Sequence, residues 1–129
     1  MDTTYEIRND CLFLKVTGDF DINRSIEIMY ETKEKLLIHN LNKFFLDITK
    51  ETGLDDRKES IKKVYNFSSV ISQSFPIGTK ISLIETKKQM GGYSFFEDVL
   101  TRMGFSVKVT TKPEVGLKWL GVSLEEKSE

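Results

Sequence analysis

Four apolar runs, Leu12–Val16, Phe44–Ile48, Lys80–Ile84 and Phe105–Val109, are separated by stretches long enough to hold a helix. This order constrains the fold more than any other feature of the chain. A tight hairpin cannot join parallel strands, so strands that alternate with helical crossovers imply parallel pairing. Only Asn9-Asp10 separates Tyr5–Arg8 from Cys11–Thr17, and that pair tolerates the left-handed backbone of a two-residue hairpin. The expected fold class is α/β: a mixed, mostly parallel sheet of about five strands with about four helices, antiparallel only at its N-terminal strand.

A chain of 129 residues fits one domain with a real core. We expect that domain over residues 1–121, followed by a charged tail over 122–129. The single cysteine, Cys11, allows no internal disulfide and fits a reducing cytoplasm, the expected location. In the second strand Cys11 shares a face with Phe13 and Lys15, whereas Leu12, Leu14 and Val16 share the other, so Cys11 reads as a small packing residue. Met1–Glu6 carries neither a basic nor an apolar region, and no signal peptide is expected. No apolar run approaches the roughly 20 residues of a transmembrane helix. Nineteen basic residues against twenty acidic ones give a formal charge of −1, which argues against a nucleic-acid partner.

The helices follow from period and caps. Ile22, Ile26, Met29, Leu36 and Leu37 predict one side of a first helix with Tyr30 at its edge, capped by Asp21 or Asn23 and closing near His39. Glu31 precedes Lys35 by one turn in the favourable order. Asp56-Arg57-Lys58-Glu59 has capping-box spacing, and Ile61, Val64, Tyr65, Ser68 and Ile71 follow at helical intervals before Pro76. Thr86 to Gly92 reads as a loop. Ser94 opens a short helix with Phe95, Phe96, Val99, Leu100 and Met103, stopped by Gly104. Phe105, Val107 and Val109 alternate with polar neighbours, the period of an edge strand. Thr111-Lys112-Pro113-Glu114 is a second capping box, ahead of a last helix in which Trp119 covers the core.

No metal cluster, nucleophile triad or phosphate loop stands out. Asp47 is the residue with the strongest chemical interest, because a carboxylate inside the apolar run Phe44–Ile48 is costly without a partner. Ligand crevices in open α/β sheets lie beyond the carboxyl ends of the strands. That end gathers Asp19, Asp21, Asp47, Thr49, Asp55, Asp56 and Arg57, with Glu85 and Thr86 next along.

Gly18-Asp19-Phe20-Asp21 resembles the glycine, any, apolar, aspartate turn that ends the second strand of STAS domains. Phe45-Leu46-Asp47-Ile48 resembles the apolar, leucine, aspartate, apolar strand of the same family. Gly104 to Val109 with Pro113-Glu114 and Trp119-Leu120 is similar to a bacterial branch often called SpoIIAA-like. The resemblance covers residues 5 to 120 and implies the fold of bacterial anti-anti-sigma factors and sulfate transporter tails. Phosphorylated members carry Asp-Ser-Ser-Gly at the start of the second helix, where this chain has Asp55-Asp56-Arg57-Lys58.

The expected role is a non-enzymatic regulatory or protein-interaction domain that lacks the phosphorylatable serine motif. A protein partner is expected, a homodimer is compatible, and no cofactor or metal is implied. No titratable pair suited to acid–base catalysis is legible. The alternative is an apolar small-molecule or lipid-binding protein, its pocket lined by Phe67, Phe75, Tyr93, Phe95 and Phe96.

Overall fold

The computed structural model describes residues 1–53, 65, 68–87 and 96–122. Its strands are β1 (Asp2–Arg8), β2 (Cys11–Asp19), β3 (Lys43–Thr52), β4 (Lys80–Ile84) and β5 (Ser106–Thr110). The helices among the described residues are α1 (Ile22–Ile38), α2 (described over 68–74), α3 (Phe96–Arg102) and α4 (Pro113–Leu120). The strands form a five-stranded sheet in the order β1-β2-β3-β4-β5. β1 runs antiparallel to β2, and every later pair is parallel, as the crossover lengths require. Asn9 and Asp10 both have positive φ, 50° and 61°, the two left-handed residues that a type I′ hairpin needs.

Alternation along the strands separates two cores. On one face Leu12, Leu14, Phe44, Leu46, Ile81 and Leu83 meet Ile28, Met29 and Leu36 of α1, Ile71 and Phe75 at α2, and Leu100 of α3. On the other face Cys11, Phe45, Ile84, Leu120 and Val122 form a smaller cluster beside Phe13, Leu117 and Trp119. Among the described residues, three helices therefore cover the first face and α4 covers the second. Helix α4 packs closely on β4: the Ser82 hydroxyl donates to the Gly116 carbonyl at 2.9 Å. A Cβ on Gly116 would stand 2.7 Å from Ile84 Cδ1, so an alanine there would require that buried side-chain tip to shift. Gly121, left-handed at φ 75°, ends α4, and the Val122 N–H donates to Leu117 O at 2.9 Å. Val122 is thereby packed in the second cluster, one residue beyond the expected end of the domain.

Several local expectations are corrected. The buried side of α1 is Ser25, Ile28, Met29, Thr32 and Leu36, while Leu37 and Tyr30 are exposed. Two hydroxyls belong to the buried stripe because both find acceptors: Thr32 donates to Ile28 O at 2.7 Å, and Ser25 donates to Met1 Sδ at 3.4 Å. Glu31 pairs with Arg24 at 2.8 Å, and Lys35 lies over the Tyr5 ring. Tyr65 is exposed, although Ser68 and Ile71 are buried as their spacing implies. At α4 the N-cap is Lys112, with no side-chain cap bond; Thr110 Oγ1 accepts from the Lys112 N–H instead. The capping box at Asp56 lies outside the described residues.

Candidate functional site

The carboxyl ends of β2 and β3 are held together by short polar contacts. The Thr52 hydroxyl donates to the Asp19 carboxylate, and the Phe20 N–H donates to Thr52 O at 2.9 Å. Two residues on, Asp21 accepts from the N–H groups of Asn23 at 2.9 Å and Arg24 at 3.4 Å. Asp21 is thus the N-cap of α1, satisfying N–H groups that a helix start leaves without partners. Asp19 and Asp21 shape one exposed rim where β2 turns into α1.

Asp47 and Thr49 belong to a different surface. Asp47 Oδ1 accepts from the Thr49 N–H at 2.9 Å and from the Thr49 hydroxyl at 2.6 Å. This local pair answers the desolvation cost that singled Asp47 out. Asp47 stands opposite Lys15 in the β2–β3 register and lies on the face that α4 covers only in part. There it helps line a groove of about 290 Å³ with Thr4, Glu6, Arg8, Phe13, Leu14, Lys15, Phe45, Pro113 and Leu117. The Phe13 and Phe45 rings are 5.2 Å apart, and the Arg8 guanidinium sits 4.7 Å above Phe13 while its Nε is 2.7 Å from Glu6. Sequence reasoning missed this groove. Its one local signal was the aromatic pair Phe13 and Phe45 on the strand face shared with Cys11.

A third feature lies at the end of β4. Glu85 is 2% exposed, and its Oε2 has no hydrogen-bond partner. Burial, and then the negative charge of Glu97, push its pKa up to about 7. Glu97 itself accepts from the Val109 N–H at 3.1 Å, bringing a carboxylate to the outer side of β5. The sequence placed Glu85 on the rim but gave no sign of its burial.

Asp55, Asp56 and Arg57 lie outside the described residues, so the expected cluster is seen as Asp19 with Asp21 on the rim and, apart from them, Asp47 in the groove with Thr49 bonded to it. Of the aromatics expected to line an apolar pocket, Phe75 is a core residue, 6.0 Å from the Phe44 ring. It packs in the core between α2 and the sheet. Phe67, Tyr93 and Phe95 lie outside the described residues, as does the side chain of Phe96. Among the described residues no three His, Cys, Asp or Glu side chains are grouped to hold a metal ion, and no helix is long and apolar enough to cross a membrane.

No protein-family model matches the chain, and no curated protein matches it. Solved structures do. An anti-sigma factor antagonist from Mycobacterium paratuberculosis superposes with a TM-score of 0.63 over 93% of each chain, at 8% sequence identity. The chain has the STAS fold of that antagonist.

Proposed function

We propose that this chain is a non-enzymatic, cytoplasmic STAS-type regulatory domain that works by binding a protein partner of the anti-sigma-factor kind. The observation that carries the reading is the superposition on an anti-sigma factor antagonist over 93% of both chains. The docking surface in this reading is the carboxyl-end rim, Asp19 and Asp21 with Asp55, Asp56 and Arg57, to which Asp47 and Thr49 contribute from the adjoining face. The bonding of the three described aspartates supports it. Each already accepts hydrogen bonds from neighbouring groups, which suits a fixed polar surface better than proton transfer.

By the resemblance, Asp56 and Arg57 stand where phosphorylated relatives carry two serines, directly after the matching aspartate, Asp55. Phosphorylation adds roughly −1.5 to −2 charge at such a position, whereas this chain supplies a permanent carboxylate at Asp56. The reading is therefore one constitutive binding state. Affinity capture from the source cells tests it, using the native chain, Asp56→Ser and Asp56→Ala. A specific protein recovered by the native chain and lost from folded Asp56→Ser supports a partner that reads the charge. Recovery of no specific protein, together with turnover of a small-molecule panel, overturns the reading, and stoichiometric phosphate on Thr52 or Ser60 overturns its constitutive part.

The groove supports a second reading, binding of a small apolar molecule between Phe13, Phe45 and Leu117. Native mass spectrometry of freshly purified protein tests it: retained ligand mass supports it, and a clean apo mass with no stabilisation by fatty acids counts against it.

A further inference from the structure

The two edges of the sheet are treated differently. On β5 the Glu97 carboxylate accepts the Val109 N–H, so a side chain occupies that edge. The outer side of β1 pairs with no strand among the described residues. β1 is also the longer edge, seven residues against five, and has no proline or lysine, residues that commonly keep an edge from pairing.

The hairpin fixes which backbone groups face outward. In a two-residue type I′ hairpin the residues flanking the turn exchange both N–H···O=C bonds, and hydrogen-bonded pairs then alternate along the ladder. Arg8 faces Cys11, Glu6 faces Phe13, Thr4 faces Lys15 and Asp2 faces Thr17, so these four turn their backbone groups toward β2. Thr3, Tyr5 and Ile7 turn theirs outward, away from the sheet. Ile7 also keeps a large apolar side chain 41% exposed.

We propose that this edge pairs antiparallel with β1 of a second copy of the chain, in the register that sets Tyr5 opposite the partner's Tyr5, giving a continuous ten-stranded sheet. Charge selects both occupant and register. With Tyr5 on the two-fold axis, the outward groups of Thr3, Tyr5 and Ile7 meet those of the partner's Ile7, Tyr5 and Thr3, and Asp2 faces the partner's Arg8 at both ends. A two-residue slip one way sets Asp2 against the partner's Glu6. A slip the other way sets Glu6 against the partner's Glu6. Directly opposed like charges are destabilising and opposite charges favourable, so among the registers that pair at least five residues of each strand only the central one is self-complementary. One strand pair buries less than a standard interface of roughly 1,200–2,000 Å², so the association is concentration-dependent.

Two measurements test it. Sedimentation equilibrium over rising concentration should show the native chain passing from monomer to dimer. Asp2→Lys and Arg8→Glu, each checked for folding by circular dichroism, should remain monomeric, because each sets like charges at both ends. Their equimolar mixture should dimerise again, since Lys faces Glu at one end and Arg faces Asp at the other. In the unmodified protein, amide exchange at Thr3, Tyr5 and Ile7 should slow as concentration rises, while Glu6 and Arg8 stay protected throughout. A native chain that stays monomeric at every concentration overturns the proposal. So do single variants that dimerise as the native chain does, a mixture that stays monomeric, or added protection at residues other than 3, 5 and 7 of β1.

Discussion

Replacing Glu85 by Gln should remove much of the pH dependence of stability between pH 5 and 8. Glu85 follows the last residue of β4 with a buried, unpartnered Oε2, and its backbone N–H donates to Thr110 O at 3.0 Å, which ties this position to the end of β5. Burial and the Glu97 charge raise its pKa from 4.5 to about 7. The folded state then holds a proton that the unfolded chain has already released. The stabilisation linked to this group is complete below pH 4.5 and is lost as pH rises through about 7. At ~1.4 kcal/mol per pH unit, the interval between 4.5 and about 7 sets an upper limit of ~3 kcal/mol for that loss. Gln keeps the shape without the charge. Urea unfolding followed by circular dichroism at pH 5, 6, 7 and 8 should show the native chain weakening relative to Glu85→Gln across the series. The variant should be ~1–3 kcal/mol more stable at pH 8 and equal or slightly weaker at pH 5, where its amide lacks a partner. Native and variant curves that run parallel from pH 5 to 8 would refute the reasoning.

Gly116→Ala gains ~1 kcal/mol of helix propensity but forces Ile84 Cδ1 out of a fully buried site, at a cost of ~1–3 kcal/mol, so a net loss is expected by chemical denaturation. Adding Ile84→Val deletes the clashing methyl, and the double variant should exceed the sum of the singles by ~1 kcal/mol or more; strict additivity would mean that the contact is absent. Cys11 is fully buried and its thiol is pushed up to about 12, mainly by desolvation, so it should resist a disulfide reagent at pH 8 in the native protein and react at once in denaturant. Asp21→Ala removes the bonds to the Asn23 and Arg24 N–H groups and should lower stability by ~0.5–2 kcal/mol in urea titration, whereas Asp21→Asn should retain most of it.

The strand order was legible because each buried run is compact and bounded by turn chemistry, as at Asn9-Asp10 and Gly104. Faces within strands were legible too: Leu12, Leu14 and Val16 separate from Cys11 and Phe13 by the period of two alone. The buried side of α1 was not, because Ser25 and Thr32 are polar by composition yet buried, and only their hydroxyl acceptors reveal why. The groove is a long-range property. It exists because, among the described residues, α4 packs over β3 to β5 and leaves much of β1 and β2 uncovered on the same face, which no local pattern encodes. Asp47 shows the intermediate case: its need for a partner was readable from the apolar run, but the partner, two residues away in Thr49, was not.

The central claim, a protein partner held at the carboxyl-end rim, is tested most directly by site-specific photo-crosslinking in the source cells. A photoreactive residue is placed in turn at Asn23, on the rim side, at Arg57, a residue of the proposed docking surface, and at Ile77, which is 94% exposed at the opposite end of the parallel strands. The account predicts one discrete protein adduct from positions 23 and 57 and none from 77. Adducts from 77 alone, equal labelling at all three positions, or no adduct from 23 and 57 would contradict it.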